Sequence, residues 1–170
     1  MIRIAAFCVY IFVLTVNAAG AADFAARPGR VSDGDTITIR LRSQGIDAPE
    51  LRQRCEDGAG RCYGCGRAAR DAFRAVLGRA NVSIKVWETD RYGRPVVTLF
   101  ADGKDAHLEL LREGHAVAYR RYLPAPLKAS YLAAEAEAKA ARRGIWAGAF
   151  VKPDRWRRGD RLTCEHKREK

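Results

Sequence analysis

The chain has 170 residues and a formal net charge of +11, with 31 Lys and Arg against 20 Asp and Glu. Such a surplus favours a polyanionic partner through phosphate neutralisation and counterion release, and composition alone leaves nucleic acid, acidic polysaccharide and anionic lipid headgroups open. The absence of internal repeats and of low-complexity tracts excludes a repeat architecture.

Met1-Ile2-Arg3 is a short basic start, Ile4 to Val16 is apolar, and Asn17 to Ala22 supplies small residues around Ala19-Gly20-Ala21. This pattern reads as a secretory signal peptide over residues 1–22, cleaved after Ala21 or Ala22. The apolar run is short for a bilayer span, with an uncleaved membrane anchor as the competing reading, and Cys8 within it lacks the context of a lipid-attachment site. The remaining stretch of about 150 residues is the usual size of one domain with one core. Removing the signal costs only Arg3 among the charged residues, so the mature chain stays strongly basic.

Alternation of Ile37, Ile39 and Leu41 predicts a half-buried strand region over Val31–Gly45, and residues 47–61, rich in Pro, Gly and charge, read as a loop. Ala69, Phe73, Val76 and Leu77 recur at helical spacing over Gly66–Leu77, with Gly78 as C-cap. Val82–Trp87 and Pro95–Phe100 alternate like strands around the turn DRYGR, which predicts a hairpin punctuated by Asp90 and Gly93. Asp105–Arg112 is a second helix closed by Gly114, Ala116–Tyr119 a short strand, and Leu127–Arg143 an Ala-rich third helix. That helix has Tyr131, Leu132 and Ala136 toward one face and an i,i+4 pair of Glu135 with Lys139. After Trp146 the chain turns basic and reads as extended except where Trp156 or Cys164 anchors it, with Arg157 and Arg158 solvated.

Four cysteines follow the signal: Cys55, Cys62, Cys65 and Cys164. An even count in an exported chain argues for disulfides, with three possible pairings. Zinc is the competing reading of CYGC, but no second paired ligand motif accompanies it. His107, His115 and His166 sit in no catalytic or ligand motif and read as surface or packing residues.

The chemistry-bearing residues cluster in DGDTITIRLRSQGIDAPE, residues 33–50, and in DRYGR, residues 90–94. Asp35 and Asp47 are hard oxygen ligands suited to Ca²⁺. Glu50 can orient or deprotonate a water, and Arg42 and Arg94 can clamp a phosphate and its developing charge. Singly, Asp33 and Asp35 pass for turn residues, Glu50 for the start of a loop and the arginines for surface charges. Together they supply what phosphodiester hydrolysis needs.

The order and spacing of DGDT, GIDAPE, DRYGR and EAEAKAARRGIW resemble the thermonuclease (staphylococcal nuclease-like) family, from about Arg30 to about Trp156. The resemblance implies an α+β, mainly β, fold: a five-stranded OB-type barrel with three helices, here over residues 23–156, followed by a basic tail over 157–170. It implies Asp35, Asp47 and the carbonyl of Ala48 as ligands to Ca²⁺, with Mg²⁺ or Mn²⁺ as alternatives. Glu50 matches the family's general base or water-orienting group, and Arg42 and Arg94 its phosphate-binding arginines. Arg91 and Tyr92 lie beside Arg94, and Tyr119 or Tyr122 matches tyrosines lining the nucleotide pocket. Exported members pair a Cys after the APE segment with one in a CG step, which implies Cys55–Cys65 and leaves Cys62–Cys164. The implied substrate is single-stranded DNA or RNA; the signal peptide implies a secreted or periplasmic protein with no membrane association after cleavage, expected to be a monomer.

Relative to the family pattern, about three residues are missing before Arg42, and Ser43 and Gln44 stand where apolar residues are common. Three functions follow: an active secreted nuclease, a catalytically weakened OB-fold protein that binds nucleic acid, or an accessory protein of exopolysaccharide (succinoglycan) biosynthesis.

Overall fold

A computed structural model describes residues 28–31, 34 and 37–166. The expected signal peptide, Asp33 and Asp35 lie outside the described residues. The strands are β1 (Pro28–Val31), β2 (Ile37–Ile39), β3 (Arg42–Ser43), β4 (Ile46–Asp47), β5 (Cys55–Glu56), β6 (Cys62–Tyr63), β7 (Val82–Thr89), β8 (Pro95–Ala101), β9 (Lys104–Asp105) and β10 (Val117–Ala118). The helices are α1 (Cys65–Leu77), α2 (Ala106–Arg112), α3 (Ala125–Ala140), α4 (Pro153–Arg157) and α5 (Thr163–His166). The result is a mixed α+β chain with three main helices. The expected weight toward β is not seen among the described residues, because most strands are pairings of only two residues while α1 and α3 run for 13 and 16.

The hairpin forms where the alternation places it. Strands β7 and β8 pair antiparallel from Val82↔Ala101 to Thr89↔Pro95, with one irregularity between Val86 and Glu88 at Trp87, whose indole N–H donates to Thr98 Oγ1 at 2.9 Å. Strand β3 lies on the other edge of β8, parallel to it, with Arg42 opposite Val96. Strand β4 pairs antiparallel with β10, Asp47 opposite Val117. The short connection before Arg42 leaves Ile39 42% exposed, and Gln44 turns inward instead of an apolar residue. Its amide is satisfied by donating to the Tyr122 carbonyl at 2.9 Å, which lets a polar side chain be buried there.

Among the described residues, three apolar clusters form the core. Ile46, Leu110, Leu111, Ala118 and Tyr131 join β4, α2, β10 and α3. Val97, Leu99 and Ala106 seat α1 against β8 through Leu77, Val76 and Phe73, the last of which also packs on the first cluster. Cys55, Cys65, Val117 and Ile145 make the third, covered by Trp146 and Phe150. Helix α1 thus buries the face its periodicity predicts.

Helix α3 departs from its predicted face. Tyr131, Ala134, Glu135 and Ala138 are buried while Ala136 is exposed. The expected Glu135–Lys139 pair is replaced: Glu135 accepts from the Ala118 N–H at 2.8 Å and from Arg120 at 2.9 Å, and Lys139 sits over the Trp146 ring. A buried carboxylate has to find donors, and the end of β10 offers a backbone N–H that an exposed pair with Lys139 would leave unsatisfied.

The four cysteines form two disulfides, Cys55–Cys65 and Cys62–Cys164, with Cα separations of 5.6 and 5.9 Å. The second fastens the C-terminal segment onto the body. That segment contains α4 and α5 and is not extended.

His107 is fully buried on α2, next to Phe73, and neither ring nitrogen has a hydrogen-bond partner. Burial lowers its pKa from 6.5 to about 4, against the opposing pull of the Asp105 carboxylate and the Gln44 backbone. Between those values the unfolded chain binds the extra proton, so stability is complete above pH 6.5 and is lost as pH falls through about 4. The expected slope is roughly 1.4 kcal/mol per pH unit. Urea unfolding between pH 7 and pH 4.5 should show this slope in the parent protein and a flattened one in His107→Gln. An equal slope in both would assign the acid sensitivity to other groups.

Candidate nuclease site

Asp47 is placed by the β4–β10 pairing and is 6% exposed. From there the chain runs through Ala48 and buried Pro49 to Glu50, whose side chain is 40% exposed. The loop carrying Glu50 is held by Gln53. The Gln53 N–H donates to the Glu50 carbonyl at 2.7 Å, Gln53 Oε1 accepts from the Glu50 N–H at 3.2 Å, and Gln53 Nε2 donates to the Val151 carbonyl at 2.6 Å. Gln53 is completely buried, and its carbonyl accepts from the Gly66 N–H at the start of α1. Loop, helix and C-terminal segment are thereby tied together behind Glu50.

The DRYGR turn presents Arg94. Asp90 closes the turn by accepting from the N–H groups of Tyr92 and Arg94, and its second oxygen accepts from Arg94 Nε at 2.8 Å and Nη2 at 2.6 Å. The Arg94 guanidinium holds the Asp90 carboxyl down at about 2. Gly93 takes the positive φ of 74° that the turn requires. Tyr92 is flanked by the guanidinium groups of Arg91 and Arg94, with Cζ atoms 4.8 and 5.3 Å from the ring centre. Arg91 also donates to the Tyr92 hydroxyl at 2.7 Å.

Two adjoining cavities collect most of the residues singled out from sequence, Glu50 excepted. One, of about 650 Å³, is lined by Arg42, Arg91, Tyr92, Arg94, Tyr119 and Tyr122 together with Arg157. The other, of about 430 Å³, is lined by Arg42, Asp47, Ala48, Pro49, Leu51 and Gly66. Arg42 borders both. Tyr119 and Tyr122 lie with ring centres 5.0 Å apart, and the Tyr119 N–H is anchored to the Gly45 carbonyl at 2.8 Å. Arginine cations, aromatic faces and a buried carboxylate therefore share one region, to which Glu50 is joined through Arg157.

Arg157, read as solvated from sequence, is instead paired at this site. Nη1 and Nη2 donate to the two oxygens of Asp47 at 2.9 and 2.8 Å, and Nη1 donates to Glu50 at 2.9 Å. The Asp47 hydrogen bonds raise the pKa of the guanidinium further, with a smaller contribution from Glu50. The residue stands among several arginines in RWRRGDR, and nothing local distinguishes it. Gln53 was equally silent in the sequence, because its partners come from Glu50, Gly66 and Val151.

A divalent cation fits this donor set. Asp47 offers two oxygens in a nearly dry position, Ala48 lines the same cavity, and a positive group already occupies that carboxylate. Among the described residues no group of three acidic, His or Cys ligands is assembled. Asp35, the remaining carboxylate singled out from sequence, lies outside those residues.

Several known proteins are similar to this chain over most of its length. The chain is 37% identical over 133 residues to the probable staphylococcal-like nuclease CAN3 of Oryza sativa subsp. japonica, an overlap of 76% of this chain and 32% of that protein. It therefore spans about a third of the length of the rice relatives it matches. It is 37% identical over 139 residues to the succinoglycan biosynthesis protein ExoI of Rhizobium meliloti, covering 79% of this chain and 71% of that one. With the micrococcal nuclease of Shigella flexneri it shares 33% identity over 166 residues, 88% of this chain and 89% of that protein. Residues 38–148 match the family described as staphylococcal nuclease homologues, and the chain belongs to that family.

Proposed function

We propose that this protein is a divalent-cation-dependent phosphodiester hydrolase acting on single-stranded DNA or RNA. The observation that carries the reading is the convergence of Arg42, Arg94 and the Asp47–Pro49 segment on adjoining cavities whose rim holds Tyr92, Tyr119 and Tyr122, with Glu50 joined to Asp47 through Arg157. Asp47 and the Ala48 carbonyl, with Asp35, would hold Ca²⁺, or Mg²⁺ or Mn²⁺ in its place. A bound cation supplies neutralisation of the non-bridging phosphate oxygens and acidifies a nearby water. Glu50 takes a proton from the attacking water. Arg42 and Arg94 hold the phosphate and stabilise the charge that builds on it, with Arg94 pre-aligned by Asp90. Tyrosine faces and Arg91 bind bases and backbone with little sequence preference.

The short paired segments are read as parts of a five-stranded OB-type barrel, its strands β3, β7 and β8 and the β4–β10 pair surrounding the first and second apolar clusters. Two disulfides support an oxidising, extracytoplasmic location for a monomer freed from residues 1–22. Among the described residues, no helix is long and apolar enough to cross a membrane.

The decisive assay is hydrolysis of single-stranded DNA by the oxidised protein with Ca²⁺ and with EDTA. Cleavage abolished by EDTA is the expected result. The likeness to the succinoglycan biosynthesis protein favours a second reading, an accessory role in polymer production. The same assay separates them: absence of cleavage with every divalent cation, together with altered polymer in a deletion strain, would replace the nuclease reading.

A further inference from the structure

Among the described residues from Arg155 onward, each arginine has a local partner except one. Arg155 pairs with Asp160, Arg158 with Asp154 and Arg161 with Glu165, all within five residues. Arg157 reaches back 110 residues to Asp47 and 107 to Glu50. Its guanidinium covers both oxygens of a carboxylate that is 7% exposed, while its own side chain remains 37% exposed.

The segment that presents it is fastened on both sides. Upstream, the Val151 carbonyl accepts from Gln53. Downstream, Glu165 accepts from the Arg54 N–H at 2.7 Å and from the Trp156 indole at 3.0 Å, and Cys164 is bonded to Cys62. Arg161 stacks on Trp156 with Cζ 3.9 Å from the ring centre. The backbone at Arg157 is therefore fixed beside Asp47, and only a flexible side chain separates the paired state from a released one.

We propose that Arg157 is a built-in cation of this site: a tethered competitor of the divalent ion for Asp47 and Glu50, which raises the metal concentration that the chain requires. The inference rests on the reading of Asp47 as a metal ligand. A guanidinium has five donors and no acceptor, so it cannot join a coordination sphere and must leave the Asp47 oxygens before a metal takes them. Two positive groups on one buried carboxylate would also repel each other. Because the strap stays docked when the side chain swings away, the competitor keeps a high effective concentration and returns when the metal departs.

The test is calorimetric titration of the oxidised, nucleic-acid-free protein with Ca²⁺, on the parent and on Arg157→Gln, Arg157→Lys, Arg158→Gln and Asp47→Asn. Arg157→Gln should bind Ca²⁺ about tenfold more tightly, the gain expected if the paired state holds nine-tenths of the molecules. Arg157→Lys, which keeps the charge but loses the fork, should fall between Arg157→Gln and the parent. Arg158→Gln should match the parent. Unchanged or weaker binding in Arg157→Gln overturns the proposal, and if that variant does not give a cooperative melt, unchanged or weaker binding in Arg157→Lys does so. Unchanged binding in Asp47→Asn overturns the metal reading of Asp47 and the competition with it. Weakened binding in Asp47→Asn without a gain at Arg157 overturns the competition alone.

Discussion

Glu50→Gln should lower the rate of single-stranded DNA cleavage by about 10²–10⁴-fold, the usual contribution of a positioned general base, while leaving affinity for the strand close to that of the parent. The amide keeps the size of the carboxylate and can still accept a hydrogen bond from Arg157, so the loop has no reason to rearrange. Only the capacity to take a proton from water is removed. Phosphate binding rests on Arg42 and Arg94, which the substitution leaves alone. Single-turnover cleavage and equilibrium binding, measured on the same oligonucleotide, check the two halves separately. A variant that cleaves at the parent rate would strip Glu50 of the role, and a variant that loses binding and cleavage together would make it a structural support.

Gly66→Ala should have the second large effect, although Gly66 carries no chemistry. A Cβ at this position would stand 1.7 Å from the Glu50 carbonyl oxygen and 2.6 Å from its carbon. Both are backbone atoms, so no side chain can rotate away. Either the start of α1 or the Glu50 loop has to move by more than an ångström. Displacement of that size costs about 10²-fold in catalysis when it reaches a reacting group. Overpacking a fixed contact adds about 1–3 kcal/mol of lost stability. Gly58→Ala is the matched control, since its added Cβ would meet only the Ala147 carbonyl at 3.6 Å. Steady-state kinetics and urea unfolding of both variants test the difference; a Gly66→Ala protein with parent-like activity would show that the loop is not positioned by this contact.

The parts of this molecule that could be read in advance are those set by neighbours in sequence. The DRYGR hairpin follows from alternation on both sides of an Asp and a Gly, and the structure adds why the turn holds: Asp90 bonds two backbone N–H groups and the Arg94 side chain. Helix α1 follows from the spacing of Ala69, Phe73, Val76 and Leu77. The disulfide pairing came from family likeness, since four cysteines alone allow three arrangements. Interactions that depend on distant partners left no local trace. Glu135 looks like half of an i,i+4 pair until the end of β10 is brought beside it. Gln44 and Gln53 look like surface polar residues until each is seen to satisfy carbonyls from other segments. Arg157 was lost among similar arginines because its meaning lies in a carboxylate more than a hundred positions away.

The docking of the C-terminal segment also bears on the order in which this chain folds. The hairpin of β7 and β8 and the packing of α2 on α3 join residues close in sequence and can form early, whereas contacts that close long loops are slow to be rewarded. Gln53 to Val151, Arg54 to Glu165 and Asp47 to Arg157 are separated by 98, 111 and 110 residues. The helical body is thus expected to assemble before the strap arrives, and during that interval Asp47 and Glu50 face solvent with no guanidinium beside them. The resting charge balance of the site is then expected to be the last property that the protein acquires.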